Sequence, residues 1–202
     1  MVKFGNMFGF KKSTSDEVKV ILDKKDRMEK KEIAGNKNTS VKILQELASD
    51  RDWDVRREVA RNEATPMEVL ERMVSDKKEE VRREISHNKN TPAGSLDNLA
   101  GDDDWEVRYG VAKNHNTTVA VLEKMRMDKE WKVREGVAWN EKTPVKILEE
   151  LALDRREVRY AVLMNRNAPI DLVRQLKLEN EREDAEKKRE EYDKNMKRAF
   201  PG

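Results

Sequence analysis
Apolar positions along this chain return at a fixed step of 26 residues. Leu44, Leu70, Leu96, Leu122 and Leu148 form one column, and Leu47, Met73, Leu99, Met125 and Leu151 form a second, three residues on. Val55, Val81, Val107 and Val133 make a third, and Val59, Ile85, Val111 and Val137 follow four residues later. Spacings of three and four place each pair on one face of a helix. Each unit therefore predicts two short amphipathic helices. Neither is long enough to stand alone in water, so their apolar stripes must be buried against neighbouring units.

Polar positions keep the same register. Asn recurs at 36, 62, 88, 114 and 140, and Thr at 39, 65, 91, 117 and 143. Thr65-Pro66 reads as a helix start, with Thr as cap, Pro at the first helical position and Glu68 completing a capping box. The second helix of that unit is expected to stop at Asn88, a residue that tolerates a left-handed cap. After Asp154 one residue is missing, so Val158, Arg159, Val162 and Asn165 come 25 after their counterparts. Pro169, Val173 and Leu176 mark a half unit. At the front, Val18, Ile21, Ile33 and Ala34 hold the apolar places of a worn copy, with Ser13 where Thr39 would sit. The expected organisation is a tail over 1–12 and a repeat domain over 13–178, followed by a charged helix or tail over 179–202. Within the repeat domain lie a degenerate unit 13–35, repeats 36–61, 62–87, 88–113, 114–139 and 140–164, and the half unit 165–178.

The string Asp-x-x-x-x-Val-Arg-x-x-Val-Ala-x-Asn-x-x-Thr-Pro-x-x-x-Leu-x-x-Leu is complete at Asp128–Leu151. It is nearly so at Asp50–Met73. It resembles the leucine-rich repeat variant family over about residues 36–176, and HEAT-type repeats are similar through their Asp…Val-Arg pairing. The resemblance implies an all-α fold, a right-handed α-solenoid of 26-residue two-helix repeats, with one helix of each pair short or 3₁₀. It implies interaction rather than a reaction. A member of that family carries an iron–sulfur cluster beside its repeats. This sequence has no cysteine and cannot supply the thiolates.

Composition fits a thin, surface-rich array. Hydrophobic residues are 36% and charged residues 42%, with the signs nearly cancelling at a net +2. Such a balance argues against a polybasic nucleic-acid binder. Zero cysteine excludes disulfides and suits a reducing cytosol, so a cytoplasmic location is expected. No run approaches the roughly 18 apolar residues of a membrane span. The first ten residues are too short and glycine-broken for a signal peptide.

The columns supply the candidate residues. Asp50, Asp76, Asp102, Asp128 and Asp154 open the corners, and Arg56, Arg82, Arg108, Arg134 and Arg159 follow them. The structural expectation is that each Arg pairs with the Asp of its own corner, as Asp50 with Arg56. The alternative is a row of guanidinium groups along a phosphate backbone. Asn62, Asn88, Asn114 and Asn140 are expected to bond backbone groups of adjacent units. Trp53, Trp105 and Trp131 sit at equivalent corners, as covers for the core edge or as stacking platforms.

Residues two and six after each repeated Val occupy another face of the second helix. They give a stripe of Arg57, Arg61, Arg83, His87, Tyr109, Lys113, Trp139 and Tyr160, with Glu135 and Met164 completing it. It begins basic and turns aromatic, with Gly110, Gly136 and Ala161 beside it. Gly costs a helix about 1 kcal/mol against Ala, so two in register point to close approach by a neighbouring helix or a ligand. Aromatic and Arg residues are common interface anchors, and a protein segment with acidic and apolar parts would suit them. The function read from this is a non-catalytic scaffold binding a protein or peptide along one face. The alternative is a module that binds a DNA backbone, which Glu58, Glu80, Glu84, Glu106 and Glu135 oppose.

No phosphate loop, nucleophile elbow or His-x-x-x-His pair occurs, so no enzyme, cofactor, metal or small-molecule substrate is expected. Asp102-Asp103-Asp104 lacks the spaced ligands of a calcium loop. Phe4, Met7, Phe8 and Phe10 read as a tail covering the first unit or as a docking motif. Residues 179–199 read as a solvated helix with i,i+4 charge pairs, folding back as a cap.

Overall fold
The computed structural model describes residues 14–199, which form an α-solenoid. The expected tail, its Phe and Met residues and Ser13 lie outside the described residues. The helices are α1 Ser15–Asp23, α2 Arg27–Gly35, α3 Val41–Leu47, α4 Trp53–Arg61, α5 Met67–Met73, α6 Glu79–His87, α7 Ala93–Leu99, α8 Trp105–Lys113, α9 Val119–Met125, α10 Trp131–Trp139, α11 Val145–Leu151, α12 Arg156–Met164 and α13 Ile170–Ala199. From α3 to α12, seven-residue odd helices alternate with nine-residue even ones.

The apolar columns make one continuous core. The first Leu column and both Val columns are fully buried at every repeat. Ile43, Val69, Val121 and Ile147 add a column beside the first Leu series. It escaped notice in the sequence because Ser95 interrupts it. In the worn first unit, Val18 and Leu22 are buried while Ile21 is 37% exposed. Among the described residues α1 packs chiefly on α3, so the face that Leu47 buries in the next unit is not covered by another helix of the array here.

The even helices pack side by side along the whole array, whereas successive odd helices beyond α1 and α3 touch far less. An array with one tight row bends towards that row, which places the even helices on the inner side. Small residues permit the tight spacing: Ala34, Ala60, Ser86, Ala112 and Ala138 are all buried. Gly110 and Gly136 belong to the same contact. A Cβ on Gly110 would lie 2.0 Å from Ser86 Oγ and 2.7 Å from the His87 ring, and one on Gly136 would lie 3.0 Å from Ala112 Cβ. The close approach foreseen at these glycines is thus made by the preceding even helix.

The repeated Asn ends its helix as expected but not in the left-handed form, and the repeated Thr takes a role other than a cap. Asn62, Asn88, Asn114, Asn140 and Asn165 end their helices in extended backbone, φ −68° to −76° and ψ 121° to 131°, rather than the left-handed form. Extended geometry aims the side chain at the preceding unit. Asn114 Nδ2 donates to Ser86 O at 2.8 Å and Asn88 O at 3.0 Å, while its Oδ1 accepts the Asn116 N–H at 2.9 Å. The same set recurs at Asn62, Asn88, Asn140 and Asn165. The amide thus serves carbonyls at and near a helix end, which have no partner within their helix.

Thr65 is not a cap. Its hydroxyl donates to Val59 O at 2.6 Å, and the other Thr of the column do the same six residues back. The N-cap falls one residue later, at Pro66, which offers no side-chain bond, so the capping box with Glu68 does not form. Capping boxes occur instead in the first unit, Thr14 with Glu17 and Asp26 with Glu29.

The expected half unit and charged helix are continuous. α13 passes through residues 178 and 179 without a break. Its first turns bury Leu176. Farther on, Glu183 and Asp184 receive Arg159 and Arg156 of α12 at 2.5 and 2.7 Å. No described helix is long and apolar enough to cross a membrane.

Candidate interaction surface
The Arg column is a set of clamps between units. Arg56 pairs not with Asp50 but with Asp76 of the next unit, through Nε to Oδ2 at 2.6 Å and Nη2 to Oδ1 at 2.9 Å. Its Nη1 donates to the backbone carbonyl of Asp50 at 2.7 Å. Arg82 with Asp102, Arg108 with Asp128 and Arg134 with Asp154 repeat this geometry. Lys30 serves Asp50 at the front, and Arg159 turns to Glu183 where the Asp column ends. The sequence signal could not separate the two pairings, because Asp recurs on both sides of Arg56, Arg82, Arg108 and Arg134.

These pairs are partly buried and doubly bonded. Burial alone would raise the Asp128 carboxyl, but bonds from the Arg108 guanidinium and the Glu130 N–H hold it below the ordinary range. Asp154 is lowered first by its bond from Arg134. Guanidinium groups committed in this way are not free to follow a phosphate backbone. The acidic corner 102–104 is likewise used internally, since Asp102 holds Arg82, and Asp104 caps α8 and binds Arg83. Among the described residues no group of three or more His, Cys, Asp or Glu is placed to hold a metal ion.

The stripe lies along the even helices, but its basic end is largely neutralised by its own neighbours. Arg57 donates to Glu58 at 2.9 Å and lies 5.7 Å from the Trp53 ring centroid. Arg83 reaches Asp104 at 2.5 Å and Glu106 at 2.5 Å. Arg61, His87 and Lys113 are exposed. His87 Nδ1 sits 2.9 Å from Arg83 O, as donor to it.

The aromatic end stays accessible. Tyr109 is half-buried beside Trp105, with ring centroids 6.5 Å apart. Trp139 and Tyr160 meet edge-on at 6.3 Å, and Tyr160 and Met164 are each 54% exposed. Trp53, Trp105 and Trp131 pack on the core edge at the first position of their helices. Lys132 stands over Trp105 at 4.5 Å and Arg155 over Trp131 at 4.4 Å.

Between α6, α8 and α10 the face opens into a cleft of about 650 Å³, with Trp105 and Tyr109 on its wall. The stripe pattern found Arg83, His87, Tyr109 and Glu135 of this cleft. It missed Glu84, beside Arg83, and Trp105, Glu106 and Lys132, which come from one helical turn earlier. Their bordering the same opening depends on how adjacent helices stack.

A family model for the leucine rich repeat variant matches residues 53–77, the span from the start of α4 to just beyond α5. A solved structure described as a leucine-rich repeat variant with a novel repetitive protein structural motif superposes with a TM-score of 0.58 and 26% identity. Over residues 53–77 the chain is thus similar to the leucine rich repeat variant, and its helical array shares the fold of that solved variant. The alignment covers 74% of this chain and 60% of the other protein, so the chain spans less than two thirds of that relative's length. No curated protein matches the chain at a significant level. Within this array the repeated Asn, Asp and Arg bond each unit to its neighbour.

Proposed function
We propose that this leucine-rich variant array is a non-catalytic scaffold that binds a protein partner along the even-helix face. The observation that carries this reading is the accessible aromatic run Trp105, Tyr109, Trp139 and Tyr160 across α8, α10 and α12. The strictly repeated polar residues are consumed by the fold, so recognition falls to positions that differ between copies. Large aromatic side chains that keep one face open are typical anchors. The committed Arg columns and the interspersed carboxylates weigh against nucleic acid, whose backbone binding calls for a one-signed field.

Affinity capture with the full chain tests this, with partners identified by mass spectrometry. Trp139→Ala with Tyr160→Ala should lose the captured protein, while Met67→Ala on the odd-helix side should retain it. Equal capture by both variants would overturn the assignment of the face. Retention on duplex DNA at low salt, lost steeply as salt rises, would favour the nucleic-acid reading instead.

A further inference from the structure
We infer that the front end of the array is a docking site for this chain's own segment Met7–Ser13. The amides of Asn36 and Asn38 receive its backbone carbonyls, and Val20 and Met28 receive its apolar side chains. The inference is independent of the even-helix face and of the partner proposed for it.

Two recurring asparagines carry the argument. Asn88 donates to the carbonyls of Ala60 and Asn62, 28 and 26 residues back, and Asn62, Asn114 and Asn140 do the same. A second Asn stands two residues on in some units and reaches 27 and 25 residues back. Asn90 donates to Glu63 O at 2.8 Å and Thr65 O at 3.0 Å, and Asn116 to Lys89 O and Thr91 O. Asn36 and Asn38 are the copies of this pair in the first unit. Asn36 Oδ1 accepts the Asn38 N–H at 2.9 Å, as elsewhere, but neither Nδ2 has a partner among the described residues. Asn36 is only half-buried, whereas its counterparts are 5–7% exposed. Counted back by the same steps, the two amides fall to the carbonyls of Phe8, Phe10, Lys11 and Ser13.

The entry into α1 supports this register. Thr14, just before α1, has φ −70° and ψ 165°, close to Pro66 before α5 at −68° and 156°. Ser13 therefore meets the array from the direction that Thr65 takes, and Thr65 O is a carbonyl that Asn90 holds.

Apolar side chains at the same end supply the second half of the site. Met28 is 67% exposed and Val20 56%. The place of Met28 is taken in later units by Asp54, Glu80, Glu106 and Lys132. That place faces the preceding even helix, since Asp54 pairs with Arg27 and Lys31 of α2, and Glu106 with Arg83 of α6. End units of a solenoid ordinarily turn a polar face outward. An apolar Met28 suits Met7 and Phe8 instead. One more even helix would not fit here, because Phe8 falls in the column of small residues that holds Ala34, Ala60 and Ala112. Docking through carbonyls needs no such close helix contact.

Nitrogen-15 relaxation on the full chain tests the inference. Backbone order parameters for residues 8–13 are expected near the roughly 0.85 of rigid backbone. In Asn36→Ala with Asn38→Ala they should fall below about 0.6, while residues 41–176 keep theirs. Phe8→Ser with Phe10→Ser changes nothing in the array itself and should lower them in the same way. Values below about 0.6 in the parent chain, or no change in either double variant, would overturn the inference. So would ordering that appears only with a doubling of mass in light scattering, which would give the site to the segment of a second copy.

Discussion

Removing one rung of the asparagine ladder should weaken the whole array. Asn114 is 6% exposed and ties three units' worth of backbone through three bonds: two donated, to Ser86 O and Asn88 O, and one accepted from the Asn116 N–H. Asn88 O also receives the Thr91 N–H at 3.1 Å and keeps that partner. Asn114→Ala therefore strips the Ser86 carbonyl and the Asn116 N–H of their inter-unit and turn bonds. At about 1 kcal/mol for each net bond and about 1–3 kcal/mol for a buried group left bare, the loss should be about 2–4 kcal/mol. Asn114→Asp makes the sharper case. It preserves the acceptor for Asn116 but turns a charged oxygen towards two carbonyls, so at neutral pH it should be less stable than the Ala variant. Urea unfolding followed by far-ultraviolet circular dichroism measures both. In a solenoid the lost interface term appears directly in the unfolding free energy. An Ala variant within about 0.5 kcal/mol of the parent, or an Asp variant more stable than Ala, would refute the ladder's role.

The clamps should respond to charge and geometry separately. Arg108 is 6% exposed in its side chain and holds Asp128 with two bonds, so Arg108→Met should cost about 3–5 kcal/mol by leaving the carboxylate alone. Arg126→Ala, which breaks an exposed pair with Glu150, should stay within about 1 kcal/mol in the same urea assay. Because Asp76, Asp128 and Asp154 lie below the ordinary carboxyl range when folded, their contribution is fully present above the unfolded value of about 3.9. It is lost as pH falls through the lower folded values. Urea midpoints taken from pH 7 to 2 should therefore drop below about pH 4, and less steeply in Arg108→Met. Glycines should divide by surroundings. Gly110→Ala meets Ser86 and His87 and should lose about 1–3 kcal/mol. Gly94→Ala in α7 meets nothing within 4 Å and should gain up to about 1 kcal/mol, both read as shifts in thermal midpoint.

Which residues would be prominent was legible in the chain, but what they touch often was not. The 26-residue step exposed the Arg, Asp, Asn and Thr columns of the framework, though not Asn90, Asn116 and Asn167, which also bond the preceding unit. A residue repeated at that step looks the same whether it bonds within its unit or to the next. Arg56 could have faced Asp50 or Asp76, and both stand at recurring positions. Thr65 beside Pro66 carries the usual signature of a helix start, yet its hydroxyl turns back to Val59 O at the end of the preceding helix, where it joins the Asn62 N–H on that carbonyl. The stripe was found from helical spacing, but its basic character was not retained, since Arg83 is claimed by Asp104 and Glu106 on the adjacent helix.

The sequence by itself determined the unit, its two helices and the buried columns, because apolar spacing of three and four is a local property of one helix. It also determined that units must stack, because neither helix can bury its stripe alone. Stacking geometry alone decided the direction of bend, the unit that each side chain reaches, and the charge left on the inner face. Those depend on distances between helices 20 to 28 residues apart in the chain, and such distances exist only once the helices have packed.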